Sequence, residues 1–212
     1  YGRMILIKLS ALGTDGSRVM LWFDDGSKMR VPTSLVADLG LYRGMELGED
    51  DLSRLMEETQ RASARNRAVR IVSSTSISEK SLKQRLIQRG ENPENAQEAV
   101  DWLRDLGALN DEGMARQVVD RCVQKGYGKA RIQQELYHKG IPKQYWEDAL
   151  SRIPDMSDAI DRFLERRFRG VELDQKTIKR AADALYRRGH SWDAISAALG
   201  RYEARLEDQE DW

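Results

Sequence analysis

Beyond residue 60, hydrophobic positions recur at helical spacing in three aligned copies. In the first copy Leu82, Leu86 and Ile87 lie at i, i+4 and i+5, which places them on one apolar stripe of a helix. The aligned segments are Leu82–Gly90, Ile132–Gly140 and Ala181–Gly189. Their closing glycines are 50 and 49 residues apart, and apolar residues agree again six, nine and ten positions beyond each glycine. The pattern predicts three tandem repeats of about 50 residues.

Each repeat is predicted to contain three helices. The closing glycines follow a basic residue and lie where a left-handed cap ends a helix. Pro93, Pro142 and Ser191 can each open the next helix. The first helices are expected at approximately 66–74, 112–125 and 157–169. We therefore predict a mainly α fold, in which three helix-turn-helix-like repeats form an elongated array over residues 61–110, 111–154 and 155–212, the last with an acidic tail.

The first 60 residues have a strand pattern instead. Ile5, Ile7 and Leu9 alternate with other residues at the two-residue period of a strand. Two further strand-like runs flank Asp24-Asp25-Gly26-Ser27, which is a strong hairpin signal, and Gly13–Ser17 supplies an earlier turn. A three-stranded antiparallel meander follows from this pattern.

Two helices are predicted to complete residues 1–60 as an N-terminal extension. Pro32-Thr33 opens a short helix that reaches Leu39. Glu49-Asp50-Asp51 opens a longer one, with acidic residues in its first turn. That helix is expected to run toward a highly charged connection at Arg61–Arg67, which leads into the repeats.

Charge alternates along the chain with the period of the repeats. The formal net charge is zero, although 33% of the residues are charged. Residues 61–90 contain eight basic and one acidic residue, whereas 91–115 contain one basic and seven acidic residues. The same alternation recurs over 116–143, which hold seven basic and two acidic residues, and over 162–189, which hold nine and four. The neutrality therefore conceals basic blocks at the second helices and acidic blocks at the third helices.

No constellation of catalytic or metal-ligating residues stands out. Cys122 is the single cysteine, has no ligand-spaced partner for zinc, and is expected to be a small buried residue. His138 and His190 lie at helix ends, where an exposed or capping role is the simpler interpretation. Gly126–Lys129 lacks the spacing of a phosphate-binding loop and is predicted to connect two helices. We expect no enzyme activity, no cofactor and no metal. The alternative, a hydrolase or transferase, would need a cleft that holds one of these scarce histidines.

The chain also lacks a membrane-length apolar run and a signal-peptide pattern, so we expect a cytoplasmic protein that does not bind membranes.

The remaining candidate site is the set of basic blocks. Such a recurring stripe suits a polyanion or a long, regularly charged protein surface. Ordinary solvated helix faces and pairs with the neighbouring acidic blocks are the alternatives. Tyr137 and Tyr186 are the main aromatic residues among these cations, so base stacking has weak support.

Several short motifs resemble a known family. Leu109-Asn110-Asp111, followed by Ala115, Arg121, Gly126, Gly128, Arg131-Ile132, Leu136 and Lys139-Gly140-Ile141, resembles the central signature of the RecX family. Arg67–Ser73 followed by Ser78–Leu82 is similar to that family's first-repeat opening, with Thr75-Ser76 near the position where an arginine is usual. The resemblance covers roughly residues 60–202, and the hairpin extension looks like that of longer members.

The resemblance implies a function that charge alone does not supply. RecX proteins regulate the RecA recombinase, lie in the deep groove of its filament on single-stranded DNA, and limit filament growth, ATP hydrolysis, strand exchange and co-protease activity. This would place the protein, as a monomer, in homologous recombination, DNA repair and the SOS response. The residues expected to face the filament or its DNA are Arg65, Arg67, Arg70, Lys83, Arg85, Arg121, Lys125, Lys129, Arg131 and Lys139. Direct DNA contact stays open, and the alternative is a helical-repeat DNA-binding module that acts independently of RecA.

Overall fold

A computed structural model describes residues 3–14 and 16–210 of the chain. It divides into two compact units. The N-terminal unit extends to Ser76 and resumes over Leu82–Leu109. The C-terminal unit contains Ile77–Ser81 and begins again at Asn110.

The N-terminal unit begins with a four-stranded antiparallel sheet in the order β3-β2-β1-β4. Its strands are β1 (Met4–Leu12), β2 (Arg18–Phe23), β3 (Lys28–Pro32) and β4 (Glu46–Leu47). The predicted meander and its hairpin turn are confirmed, although Asp15 of the predicted earlier turn lies outside the described residues. The pattern did not predict β4, because a two-residue strand is too short to show any alternation.

Strict alternation along β1 is wrong. Leu6 is fully buried, whereas Ile5 and Ile7 are 37% and 45% exposed. The pairing with β2 shifts register between Leu6 and Lys8, as a β-bulge requires. The extra residue turns Leu9 back toward the core, against which it packs. The inward face of the strand therefore consists of Met4, Leu6 and Leu9.

The predicted connection at Arg61–Arg67 is helical instead. The short helix α1 (Thr33–Asp38) is followed by α2 (Glu49–Ser74), which continues through 26 residues. Its first turns bury Leu52 and Leu55 against the sheet. Ala64, Ala68 and Ile71 then form a buried stripe at helical spacing, so the charged residues between them lie on the outer faces of one uninterrupted helix. The first turns of α2 thus pack against the sheet, and its later turns form the first helix of repeat 1.

The helical repeats are confirmed as three successive helix trios. Repeat 1 comprises α2, α3 (Glu79–Gln88) and α4 (Pro93–Asp105); repeat 2 comprises α5 (Asp111–Gln124), α6 (Lys129–His138) and α7 (Trp146–Ser151), the last preceded by a 3-10 turn at Lys143–Tyr145; repeat 3 comprises α8 (Ser157–Phe168), α9 (Gln175–Arg187) and α10 (Trp192–Glu210). α5 and α8 agree with the predicted first helices to within a residue at each end. Repeats 2 and 3 each have their own apolar core.

The three closing glycines are confirmed as helix caps. Gly90, Gly140 and Gly189 have φ angles of 93°, 70° and 91°, in the left-handed region that favours glycine. In each case the residue after the glycine donates its N–H to a carbonyl in the last turn, such as Ile141 to Leu136 at 3.1 Å. This pattern is a Schellman motif, and it ends all three second helices in the same way.

Candidate binding surface

Ion pairs join the first and third helices of every repeat. In repeat 1 both Arg61 and Arg65 pair with Glu98, at 2.8 and 2.5 Å. The corresponding pairs are Arg116–Asp148 and Arg152–Asp120 in repeat 2, and Arg201–Asp161, Arg205–Asp161 and Arg205–Glu165 in repeat 3. The acidic residues neutralised in this way are Glu98 and Asp148 on the third helices and Asp120, Asp161 and Glu165 on the first helices.

The second helices, in contrast, carry mostly unpaired cations. Among the described residues, Arg131 is the one Lys or Arg of α3, α6 and α9 that has an ion pair, with Glu135 at 2.7 Å. The unpaired and exposed cations of these helices include Arg85, Lys129, Lys176, Lys179, Arg180 and Arg187. Tyr137 and Tyr186 lie at equivalent positions of α6 and α9 and are also exposed. We call these three helices the second-helix surface.

Three of the ten residues predicted to bind are held by intramolecular contacts. Arg65 pairs with Glu98 and lies 5.3 Å from the ring centre of Trp102. Arg67 pairs with Glu91 at 2.8 Å. Arg131 pairs with Glu135, and its guanidinium lies 5.7 Å from the ring centre of Tyr127. Since each of these cations already has a structural partner, the other seven are the stronger candidates for an external one.

The other seven predicted residues have no ion pair within the described part of the chain. They are Arg70, Lys83, Arg85, Arg121, Lys125, Lys129 and Lys139; Lys83 is half-buried and the rest are exposed. The structure brings Arg121 and Lys125 together with Arg131 near Cys122. All three cations lower the pKa of the Cys122 thiol, but burial and Glu135 raise it more, so the net shift is upward. Cys122 is confirmed as a small buried residue, and its thiol stays neutral at neutral pH.

Two hydrogen bonds link the residues at the start of one second helix to the residues at the end of the next. The Ser78 hydroxyl, at the start of α3, donates to the carbonyl of Lys139 at the end of α6, at 2.6 Å. The same junction recurs one repeat later, where the Gly128 N–H at the start of α6 donates to the carbonyl of Arg188 at 2.8 Å. Ser78 and Gly128 occupy equivalent positions in the aligned repeats. The orphan carbonyls of one helix end are thus satisfied by the first turn of the preceding second helix.

The motif Gly126–Lys129 is confirmed as a connection between helices, and its glycines have a specific purpose. A Cβ atom on Gly128 would lie 2.3 Å from the carbonyl oxygen of Gly189, so only glycine allows the two backbones to approach this closely. The His190 ring reaches the carbonyl oxygen of Gly126 at 3.0 Å. The alignment of Gly128 with Ser78 in the repeats is the sequence signal for this junction.

The two histidines have different environments. His138 is exposed, which agrees with the expectation of an exposed or capping histidine. His190 is buried in the junction, and burial lowers the pKa of its ring. The residues of the motif Leu109-Asn110-Asp111 have structural roles. Leu109 is buried, and Asn110 caps α5 by accepting the N–H of Gly113. Asp111 accepts the N–H of Glu79 at the start of α3.

Among residues 3–14 and 16–210, no group of three or more His, Cys, Asp or Glu side chains is arranged to hold a metal ion. Within the same ranges, no helix combines the length and apolarity needed to cross a membrane.

Tandem three-helix repeats preceded by a small sheet define this chain as a helical-repeat protein. Comparison with known proteins narrows the class. The family model "RecX, second three-helix domain" matches residues 110–150. "Regulatory protein RecX" of Trichlorobacter lovleyi is 31% identical over 135 residues, which cover 60% of this chain and 88% of that protein. The protein of the same name from Clostridioides difficile (strain 630) is 29% identical over 203 residues, covering 93% and 95%. The chain belongs to the RecX family.

Solved structures share the fold. "Crystal structure of regulatory protein RecX" superposes with a TM-score of 0.69 at 20% identity, covering 93% of this chain and 99% of that one. RecX from Lactobacillus salivarius gives a TM-score of 0.59 at 20% identity, covering 68% and 97%. These likenesses confirm a helical-repeat fold preceded by a small N-terminal sheet.

Proposed function

We propose that this protein is a non-enzymatic, negative regulator of the RecA recombinase. It binds as a cytoplasmic monomer along the groove of the RecA filament on single-stranded DNA. Occupancy of the groove limits filament growth, ATP hydrolysis, strand exchange and co-protease activity, and so damps recombination and the SOS response. The relatives named as regulatory proteins support the regulatory role.

The observation that carries the proposal is the difference between the helices of each repeat. Ion pairs such as Arg116–Asp148 join the first and third helices of each repeat, whereas the cations of the second helices are mostly unpaired. Unpaired surface cations attract an anionic partner over a distance of about 8 Å at physiological salt, and they speed its association. A surface that recurs once per repeat suits a partner whose own sites recur, as those of a filament do.

Regulation by occupancy also explains why no catalytic set is needed. A protein that binds the assembled filament more tightly than its free subunits, or the reverse, shifts assembly by that difference in affinity alone. We therefore expect effects at roughly stoichiometric amounts, and no turnover by the protein itself.

Charge reversal on α6 tests where the filament binds. Lys129→Glu with Lys139→Glu changes two exposed, unpaired cations at opposite ends of α6, so the repeat should still fold. We expect this variant to co-sediment with RecA filaments at least roughly tenfold more weakly than wild type, because two attractive charges become repulsive. The matched control is Arg43→Glu with Arg54→Glu, two exposed cations of the N-terminal unit, which should bind as wild type does.

Equal binding by wild type and the Lys129/Lys139 variant would contradict this assignment of the surface. The same variants, measured on duplex DNA without RecA, address the independent DNA-binding alternative. That alternative gains support if the loss on free duplex is as large as the loss on the filament.

A further inference from the structure

The N-terminal unit contains a cleft whose charged walls consist of arginine. It has a volume of about 770 Å³ and lies where β2 and β3 approach the middle of α2 and the residue after α3. The guanidinium-bearing residues that line it are Arg18, Arg30, Arg67, Arg70 and Arg89. An adjoining hollow of about 350 Å³ shares three of them, Arg18, Arg30 and Arg70, and extends to Leu12 and Gly13. Of the residues that the structure describes, no Asp or Glu lines either space.

Two of the arginines are held close together by the sheet itself. Arg18 lies opposite Pro32 and Arg30 lies opposite Met20 in the β2–β3 pairing, so the two arginines occupy diagonal positions on the same face. Val19, Leu21 and Val31 occupy the opposite, buried face. Like charges in neighbouring positions of a sheet repel each other, and this cost disappears when an anion lies between them.

The cleft keeps an excess of positive charge after its internal contacts are counted. Glu91 neutralises Arg67 at 2.8 Å and also accepts the Ser63 hydroxyl at 3.3 Å. Arg18, Arg30, Arg70 and Arg89 are exposed, and none of them has an ion pair within the described part of the chain. Four uncompensated guanidinium groups therefore share two adjoining hollows.

The remaining walls indicate which anion fits. Ser34 and Asn66 supply a neutral hydroxyl and a neutral amide that can donate hydrogen bonds, whereas the hydroxyls of Thr33 and Thr59 already donate to the carbonyls of Gly16 and Leu55. Arginine matches the oxygens of a phosphate with two parallel N–H donors. None of the described lining residues is aromatic, so bases have no side chain to stack on, and the contacts would be to the backbone. A phosphodiester chain carries one charge per link, and it can therefore meet several guanidiniums in succession.

We infer that this arginine cleft binds the phosphodiester backbone of a nucleic-acid strand, independently of base sequence. The arginines of the cleft lie outside α3, α6 and α9, and its ligand is bound without the recombinase. Failure of this inference would therefore leave the proposed regulation of RecA standing.

The test is fluorescence anisotropy of a labelled oligo-dT of about 20 nucleotides with the full-length protein, over a salt range of about 50–200 mM. In the variant Arg18→Gln with Arg30→Gln, two phosphate contacts are removed. The slope of log K against log salt should then decrease by about 1.4, and affinity at low salt should fall roughly tenfold or more. Arg43→Gln with Arg54→Gln, exposed and outside the cleft, should retain the wild-type affinity and slope. Unchanged affinity and slope in the Arg18/Arg30 variant would overturn the inference.

Competition distinguishes the sources of the anion. Displacement of the oligo-dT by unlabelled single strand or duplex at equal phosphate concentration supports the inference, and their relative potency shows which form binds. Equal displacement by a polyglutamate peptide of the same charge would overturn it in favour of an acidic protein segment.

The melting temperature provides a further check. Because the substitution removes a repulsion, the Arg18/Arg30 variant should melt no lower than wild type, and a marked decrease would indicate that the arginines serve the fold instead.

Discussion

Gly128 and Gly189 bring the backbones of repeats 2 and 3 into direct contact. The N–H of Ala130 donates to the carbonyl of Gly189 at 3.2 Å, beside the bond from Gly128 to Arg188. A Cβ atom on either glycine would lie within about 2.3 Å of the facing backbone. Local signals therefore predicted the cap at Gly189, but not this approach, because the approach depends on a residue 61 positions away in the chain.

Gly128→Ala should destabilise the C-terminal unit by about 1–3 kcal/mol, the usual cost of forcing extra volume into a packed site. The φ angle of Gly128 is −83°, so alanine meets no backbone strain and the cost reports the close approach alone. Urea unfolding followed by circular dichroism measures it. Gly200→Ala is the control, since nothing lies within 4 Å of that site in α10; it should be neutral or stabilising. Equal stability of the two variants would contradict the account of the junction.

His190 gives the same junction a pH dependence. Burial lowers the pKa of the ring below its ordinary value of 6.5, so the unfolded chain takes up a proton before the folded one does. The contribution of His190 is therefore complete above about pH 6.5 and is lost as the pH falls toward the folded-state pKa. The slope cannot exceed about 1.4 kcal/mol per pH unit.

In His190→Gln that part of the pH dependence should disappear, because glutamine does not titrate. The measurement is the free energy of unfolding of wild type and variant between about pH 5 and 8. His138→Gln, at an exposed position, is the control substitution. If the difference between wild type and His190→Gln is independent of pH, burial does not control this histidine.

At the scale of elements, ion pairs fix how the first and third helices of a repeat cross. In repeat 3 the Asp161 carboxylate accepts from Arg201 at 2.7 Å and from Arg205 at 2.9 Å. The hydrogen bond from Arg201 is the main cause of the lowered pKa of Asp161. Helix bounds followed from local patterns, whereas these partners lie about 40 residues apart and could not be assigned from a single sequence.

Asp161→Asn should lower the stability of the C-terminal unit by about 1–2 kcal/mol, because two charge-assisted hydrogen bonds are weakened at a partly exposed site. The effect should fade as the pH falls, since protonation of Asp161 removes the same bonds from the wild type. Urea denaturation at neutral and acidic pH checks both points. Glu207→Gln on exposed α10 surface is the matched control and should change stability little. A similarly small effect of Asp161→Asn would show that the pairs contribute little.

At the scale of the whole molecule, the repeats were predictable and the arginine cleft was not. Glycine spacing and apolar periodicity are properties of neighbouring residues, so they survive in the sequence as a visible pattern. Arg18 and Arg30 lie about 40 residues or more from Arg70, and only the fold of the N-terminal unit places them around one space. The same reasoning explains why Arg65 and Arg67 looked free in sequence although each has an acidic partner in space.

The central claim, regulation of RecA by occupancy, is tested most directly by ATP hydrolysis of RecA on single-stranded DNA. We predict that the full-length protein, added at stoichiometric levels, lowers the hydrolysis rate. The Lys129/Lys139 charge-reversal variant should inhibit less, and the Arg43/Arg54 variant should inhibit fully. An unchanged hydrolysis rate in the presence of stoichiometric wild-type protein would contradict the proposal.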